Sequence, residues 1–182
     1  MTGVNNQNIT EIEDLKSQGK YREARELVQK LLFHSSDDYR LYEELADIAL
    51  SEGNISDAES MMAFAQKLNP ESSTGLYLRG YIAVSKGQFQ DGVGLLEEAN
   101  KLFQNNAEIL RNLGWGYLML GNTGKGILIL RRALNLAPDD ALIMEDLGVA
   151  LLSNGDVATG EDLLRRAGRE DRIRELKSIM RI

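Results

Sequence analysis

The chain has 182 residues, a formal net charge of −7 and no cysteine. Without cysteine there can be no disulfide, no thiolate metal site and no cysteine nucleophile. An acidic chain lacks the basic face that nucleic-acid phosphates require, so we expect no nucleic-acid partner. No stretch approaches the roughly 18 consecutive apolar residues of a membrane span, and the N-terminus lacks a signal-peptide pattern. These features predict a soluble, cytoplasmic protein with no membrane span.

The first elements of the chain are less regular than those that follow. Residues 5–8 are polar, so the first helix is predicted to begin near Thr10, with Thr10 and Glu13 as a capping box. The second helix carries apolar side chains on one side, and residues 35–38 end it: these side chains are Tyr21, Ala24, Leu27, Val28 and Leu31. Residues 5–38 are therefore predicted to form a partial helical hairpin.

Beyond this segment the sequence repeats, and one glycine recurs every 34 residues, at Gly19, Gly53, Gly87, Gly121 and Gly155. Each glycine separates two stretches whose apolar residues have helical spacing. The clearest repeat covers residues 107–140, and the others cover 39–72, 73–106 and 141–169. A single hairpin cannot bury its own apolar face, so the pattern predicts hairpins stacked as a solenoid.

Small residues also recur within the predicted helices. Gly114 and Gly148 occupy equivalent places on first helices, and Gly126 and Gly160 do so on second helices. A glycine inside a helix costs about 1 kcal/mol relative to alanine. Its repetition predicts that the two helices of a hairpin touch closely at these residues.

Residues 107–140 resemble the signature of the tetratricopeptide repeat family, whose repeat is 34 residues long. The matching residues are Leu110, Leu113, Gly114, Tyr117, Gly121, Gly126, Leu130, Ala133 and Pro138. The resemblance covers nearly the whole chain. It implies an all-α, right-handed solenoid of helix-turn-helix hairpins that forms one domain over residues 1–182.

The last segment, residues 170–182, departs from the repeat. Its apolar side chains form a stripe among charged residues: Ile173, Leu176, Ile179 and Met180. A stripe of this kind is typical of a capping helix over the last repeat of a solenoid. Binding of a partner by the tail is the alternative interpretation.

In the family that the chain resembles, the first helices of successive repeats line a concave groove that binds partners. The resemblance therefore implies a protein–protein interaction adaptor that binds a peptide or helix of a partner protein. The corresponding positions here are Glu43, Glu44, Asp47, Tyr77, Leu78, Tyr81, Arg111, Asn112, Trp115, Leu118, Met119 and Val149. This set is acidic toward its start and apolar in its middle, which favours a partner with an apolar anchor and basic residues.

Two alternatives concern this groove. Tyr77, Tyr81 and Trp115 could instead pack against neighbouring hairpins. A second mode in the family grips the terminal carboxylates of a peptide with lysine, asparagine and arginine side chains. Only Asn112 fits that mode at the corresponding positions, so we do not expect it here.

Other functions have little support in the sequence. His34 is the one histidine and has no partner in a catalytic or metal-binding spacing. The segment from Gly121 to Gly126 lacks the preceding strand and the GxxxxGK[ST] spacing of a phosphate loop. We therefore predict no catalytic, metal-binding or cofactor-binding residues. The main alternative function is a chaperone for a secreted or assembly-prone client, similar to type III secretion chaperones, and an enzyme is a third.

Charge is unevenly distributed along the chain. Residues 1–72 carry 7 Lys and Arg against 14 Asp and Glu, whereas residues 163–182 carry 7 against 3. An acidic head and a basic tail predict head-to-tail self-association, which would weaken as salt increases. The competing interpretation is that both charged regions are solvated helix faces.

Overall fold

The structure is a computed structural model that describes residues 4–180, with side chains for residues 4–179. Within this range the chain forms eleven helices: α1 (Asn6–Ser17), α2 (Tyr21–His34), α3 (Tyr39–Ser51), α4 (Ile55–Leu68), α5 (Ser73–Ser85), α6 (Phe89–Leu102), α7 (Ala107–Met119), α8 (Thr123–Leu136), α9 (Ala141–Ser153), α10 (Val157–Arg166) and α11 (Glu170–Met180). Residues 1–3 and 181–182 of the predicted domain lie outside the described residues, as does the Met180 side chain of the predicted capping stripe.

The recurring glycines form the turns inside the hairpins. Gly53 has a φ of 75° and Gly121 a φ of 77°, in the left-handed region that glycine adopts without steric cost. The amide of Gly53 donates to the Leu50 carbonyl at 2.9 Å, and the next amide, of Asn54, donates to Ala49 at 2.8 Å. This pair of hydrogen bonds closes the end of α3, the first helix of its hairpin. The turns predicted at these glycines are confirmed.

The predicted start of the first helix is wrong. α1 begins at Asn6, four residues before Thr10, because Asn5 supplies the cap. The Asn5 side chain accepts a hydrogen bond from the amide of Asn8 at 2.9 Å, and the Asn8 side chain accepts one from the amide of Asn5 at 3.1 Å. Asparagine satisfies helix N-terminal amides well, so a polar run without apolar periodicity can still start a helix.

The chain divides into two compact units, Met1–Ser85 and Lys86–Ile182. Unit 1 contains α1–α5 and unit 2 contains α6–α11. The third predicted repeat, residues 73–106, contributes α5 to unit 1 and α6 to unit 2. The organisation of residues 1–182 as one domain stays a prediction.

Unit 1 has two apolar clusters. The first joins α1, α2 and α3 through Ile12, Ala24, Val28, Leu41, Leu45 and Ile48. The second joins α3, α4 and α5 through Ala46, Ala49, Leu50, Ala58, Met62, Ala65, Leu78 and Ile82. The side of α3 that faces α2 and the side that faces α5 are therefore both covered, as expected for stacked hairpins.

Unit 2 repeats this arrangement and ends with α11. One cluster centres on Leu130, Met144, Leu147, Ala150, Leu151 and Leu163, and another on Leu110, Ala133 and Ile143. The last cluster joins Leu152 of α9, Leu164 of α10 and Ile173 of α11. α11 thus covers apolar surface that the fifth hairpin would otherwise expose.

Paired glycines bring the helices of these hairpins together. A β-carbon added at Gly114 would lie 3.2 Å from the carbonyl oxygen of Gly126, and one added at Gly148 would lie 3.0 Å from that of Gly160. Contacts this short leave no room for a side chain. The close packing predicted at these four glycines is confirmed.

Candidate functional site

A metal ion would require a cluster of suitable side chains, and the one histidine of the described residues is His34. Among residues 4–180, no group of three or more His, Cys, Asp or Glu side chains is placed to hold a metal ion. His34 is exposed at the end of α2, with its ring edge-on to Phe33 at a centroid distance of 5.1 Å. The candidate site is the set of first-helix positions predicted from the sequence.

Two of the predicted acidic residues in unit 1 are paired with a cation of this chain. The Lys16 ammonium lies 2.6 Å from a carboxylate oxygen of Glu44 and 2.6 Å from one of Asp47. Burial lowers the pKa of Lys16, but attraction to Asp47 and Glu44 outweighs burial and leaves that pKa above its ordinary value. Burial raises the pKa of Glu44 against the attraction of Lys16. The three side chains join α1 to α3.

Lys16 is absent from the predicted site residues, although the sequence holds a signal for it. In the four following repeats its position is apolar, with Leu50, Val84, Leu118 and Leu152. A charged side chain at a position that other repeats bury requires a partner of opposite charge. The acidic residues on the next first helix provide that partner.

Glu43 is buried, with 5% of its surface exposed. Burial raises the pKa of its carboxyl group, while a hydrogen bond with Ser72 favours the charged form. Ser72 caps the start of α5, since its hydroxyl accepts a hydrogen bond from the Gly75 amide at 3.2 Å. A β-carbon at Gly75 would lie 3.0 Å from the Glu43 carboxyl group. Glu43 therefore fixes α3 against the beginning of α5.

The three predicted residues on α5 have different environments. Leu78 is fully buried in the cluster that joins α3, α4 and α5. Tyr77 and Tyr81 are half-buried against that cluster, and their ring centroids are 6.5 Å apart. The two tyrosines thus contribute to packing within unit 1 and keep part of their surface exposed.

In unit 2, α7 has a buried side and a partly open side. Leu110, Leu113 and Tyr117 occupy the buried side. Trp115 is half-buried, and Met119, one helical turn later, is 41% exposed. Residues four apart on a helix share a face. Trp115 and Met119 therefore form an apolar strip that the core of α7 does not use.

Two other predicted residues of α7 are engaged in packing. Asn112 is buried and its side-chain amide donates to the Glu108 carbonyl at 3.1 Å. Leu118 is half-buried and packs against the cluster centred on Leu130 and Met144. A β-carbon added at Gly126, on the second helix of the same hairpin, would lie 2.7 Å from the Leu118 side chain. These two side chains stabilise the hairpin.

Arg111 lies one turn before Trp115 and links α7 to α9. Its guanidinium is 3.2 Å from the Asp146 carboxylate, and both side chains are about four-fifths buried. Burial raises the pKa of Asp146 to about 6, although Arg111 acts to lower it. Glu145 and Asp140 add to the increase in that pKa. The ion pair therefore contains a carboxyl group whose pKa lies well above its ordinary value of 3.8.

On α9, the predicted residue Val149 packs against the cluster that includes Ile173. The neighbouring Glu145 binds two arginines of the C-terminal segment, with its carboxylate 2.8 Å from Arg169 and 3.6 Å from Arg172. α11 therefore covers this side of α9. The sequence did not indicate these ion pairs, because Arg169 is the last residue of the final repeat and Arg172 lies beyond it, where no repeat period applies.

The structure thus brings Arg111, Trp115 and Met119 together on one side of α7. It brings Glu44 and Asp47 of α3 together around Lys16 of α1. The remaining predicted residues lie in packed positions: Glu43, Tyr77, Leu78, Tyr81, Asn112, Leu118 and Val149. That the twelve residues bind a partner stays a prediction.

The chain matches a family model described as the tetratricopeptide repeat over residues 9–73, 43–107, 77–141 and 111–172. Curated protein sequences give no significant match. Within residues 4–180, no helix combines the length and apolar character needed to cross a bilayer.

Solved structures of similar fold include TTC0263, a tetratricopeptide repeat protein of Thermus thermophilus. It has a TM-score of 0.68 and 21% identity, with coverage of 97% of this chain and 98% of that one. MamA from Desulfovibrio magneticus has a TM-score of 0.64 and 18% identity over 91% and 94%. YrrB, described as having an unusual peptide-binding site, has a TM-score of 0.60 and 16% identity over 96% and 91%. At these identities the likeness shows the fold alone, and it confirms the predicted all-α hairpin architecture.

Proposed function

The chain belongs to the tetratricopeptide repeat family, and on that premise we propose that it is a non-catalytic adaptor that binds a peptide or helix of a partner protein. The site we propose in unit 2 is the apolar strip, Trp115 and Met119, with Arg111 beside it. YrrB, a protein of similar fold, has a peptide-binding site. A helix face with an aromatic side chain at its centre is suited to the same kind of ligand.

The observation that supports the proposal most is that α7 has one side that packs in the core and another that is partly exposed. Leu110, Leu113 and Tyr117 fill the core of the repeat and leave Trp115 and Met119 on the other side. Large side chains that are partly exposed and not needed for packing are typical anchors of protein interfaces, where tryptophan, tyrosine and arginine dominate the binding energy. Trp115 is also the only tryptophan of the chain.

The internal ion pairs of this chain affect how basic residues of a partner could contribute to binding. Four acidic residues on α3 and α9 already have cations of this chain as partners. Glu44 and Asp47 bind Lys16, and Asp146 binds Arg111. Glu145 binds Arg169 and Arg172. Basic residues of a partner would have to compete with these internal cations. We therefore propose that the apolar anchor contributes most of the affinity, and that basic residues contribute mainly to the rate of encounter.

The test is to capture partners on the immobilised wild-type chain, identify them by mass spectrometry and measure their affinity for Trp115→Ala. If Trp115 is an anchor, the substitution should weaken binding by about 30-fold, equivalent to about 2 kcal/mol. Leu128→Ala is the matched control, because Leu128 is 68% exposed on the second helix α8. It should bind as the wild type does.

Fluorescence of Trp115 provides an independent readout. Binding over the apolar strip should change the emission of Trp115, the only indole in the chain. Equal affinity of the wild type and Trp115→Ala, with both variants folded by circular dichroism, would contradict the proposed site. A captured partner that precipitates when the chain is removed would instead support the chaperone interpretation.

A further inference from the structure

The C-terminal helix α11 is held on unit 2 by a defined set of contacts. Ile173 is 7% exposed and packs against Leu152 and Leu164. Two ion pairs flank it: Arg169 binds Glu145 at 2.8 Å, and Lys177 binds Glu161 at 2.6 Å. We call the surface that receives α11 the docking face, and it consists of Glu145, Val149, Leu152, Glu161 and Leu164.

The connection to α11 is a sharp turn inside what would otherwise be a longer helix. α10 has 10 residues, whereas α2, α4, α6 and α8 each have 14. Gly168 ends α10 with a φ of 71°. The Gly168 amide donates to Arg165 at 2.9 Å and the Arg169 amide to Leu164 at 2.8 Å, the hydrogen bonds of a Schellman turn. If α10 had the length of the other second helices, it would extend to Glu170, where α11 begins.

We propose that α11 exchanges between two copies of this chain. When residues 167–169 become helical, α10 and α11 form one helix, and its α11 segment reaches the docking face of the second copy. The occupant of that face is chemically the same in both arrangements, so the interactions that hold α11 within one copy form again between copies. Such an exchange depends mainly on the hinge, which here is a single glycine.

Exchange differs from the head-to-tail association that the charge distribution predicts. In unit 2 several tail cations are already bound to acidic residues of the same unit, as Arg169 and Lys177 show. Reciprocal exchange is closed at two copies, whereas a head-to-tail contact can propagate. Exchange forms the ion pairs of α11 itself again, Arg172 with Glu145 and Lys177 with Glu161, so the dimer should depend little on salt.

The test compares the molar mass of the wild type and Gly168→Ala by light scattering over a wide range of protein concentrations. Alanine disfavours the left-handed turn and favours the continuous helix, so the dimer association constant should rise by about tenfold for each of the two hinges. Gly53→Ala is the matched control, because Gly53 has a φ of 75° and open space around it but lies inside a hairpin. It should lose stability without forming a dimer.

A second variant shows whether the dimer uses the docking face. Gly168→Ala combined with Ile173→Asp places a charge in the apolar contact and should return the chain to a monomer. A Gly168→Ala dimer with unchanged mass at high salt supports exchange, even if the wild type is largely monomeric. A monomeric mass for Gly168→Ala at all concentrations, with wild-type hydrogen-exchange protection of α11, overturns the proposal. So does a dimer that persists with Ile173→Asp, or a larger assembly that salt dissolves.

Discussion

Gly160 in α10 lies so close to Gly148 in α9 that a β-carbon at Gly160 would be 2.8 Å from the Gly148 carbonyl oxygen. The same β-carbon would be 2.7 Å from the backbone nitrogen of Leu152. Both contacts are backbone atoms of α9, which cannot give way without separating the two helices. The two glycines therefore set the distance between the helices of the fifth hairpin.

Gly160→Ala should consequently destabilise the protein. Overpacking costs about 1–3 kcal/mol, and the contacts of an added β-carbon with rigid backbone atoms place this site toward the upper end of that range. The cost is then larger than the gain of about 1 kcal/mol in helix propensity. Gly94→Ala is the matched control, because Gly94 also lies inside a helix but has nothing within 4 Å of an added β-carbon. It should raise the free energy of unfolding by about 0.5–1 kcal/mol. Urea denaturation of both variants measures the difference, and equal stabilities would contradict the proposed close contact.

Asp146 makes stability depend on pH in the acidic range. Its pKa in the folded chain is about 6, above the ordinary value of 3.8, so the folded state binds the proton more tightly than the unfolded state does. The group therefore stabilises the fold most when it is protonated, and this contribution is lost as pH increases from about 4 to about 6. The expected loss is of order 1–3 kcal/mol.

Asp146→Asn removes this titration and should flatten the dependence of unfolding free energy on pH between 4 and 6. Glu43 and Glu44 also have raised pKa values, so the difference between the variant and the wild type isolates Asp146. Asp162→Asn, an exposed residue on α10, should keep the wild-type slope. Denaturation at a series of pH values checks the prediction, and parallel profiles for Asp146→Asn and the wild type would refute it.

The repeat pattern predicts the turns and the close helix contacts, which depend on backbone geometry. Gly53 and Gly121 identify the turns, and Gly148 and Gly160 identify the close contacts, because glycine is used where backbone conformation or space demands it. The same register does not predict which groove positions are open. Asn112 and Trp115 are both first-helix positions, yet Asn112 is buried. Its side chain bonds to its own helix, and the 34-residue period carries no information on that contact.

Ion pairs between repeats are also beyond the periodic pattern. Arg111 and Asp146 belong to different repeats and meet only because α7 and α9 are neighbours in the stack. Lys16 is a partial exception, since a lysine at an apolar repeat position signals a buried charge. The sequence shows that such a lysine needs an acidic partner, but α3 has three carboxylates, and only the structure shows that Glu44 and Asp47 are the ones that bind it.

Lys16 should contribute more to stability than an ordinary surface lysine. Its side chain is 16% exposed, and that of Glu44 is 13% exposed. Lys16→Met keeps the aliphatic stem but leaves two carboxylates close together without their cation. We expect the free energy of unfolding at neutral pH to fall by about 1–3 kcal/mol, below the full cost of breaking a completely buried pair because Asp47 is partly solvated.

Arg22→Met is the matched control for this substitution. Arg22 pairs with Glu26 at 3.7 Å on the surface of α2, with side chains that are 87% and 67% exposed. Exposed pairs of this kind contribute less than about 1 kcal/mol. A double-mutant cycle with Lys16→Met and Glu44→Gln then separates the ion pair from packing, because Glu44→Gln should recover part of the lost stability only when Lys16 is absent. Equal destabilisation by Lys16→Met and Arg22→Met would show that the buried pair has no special role in joining α1 to α3.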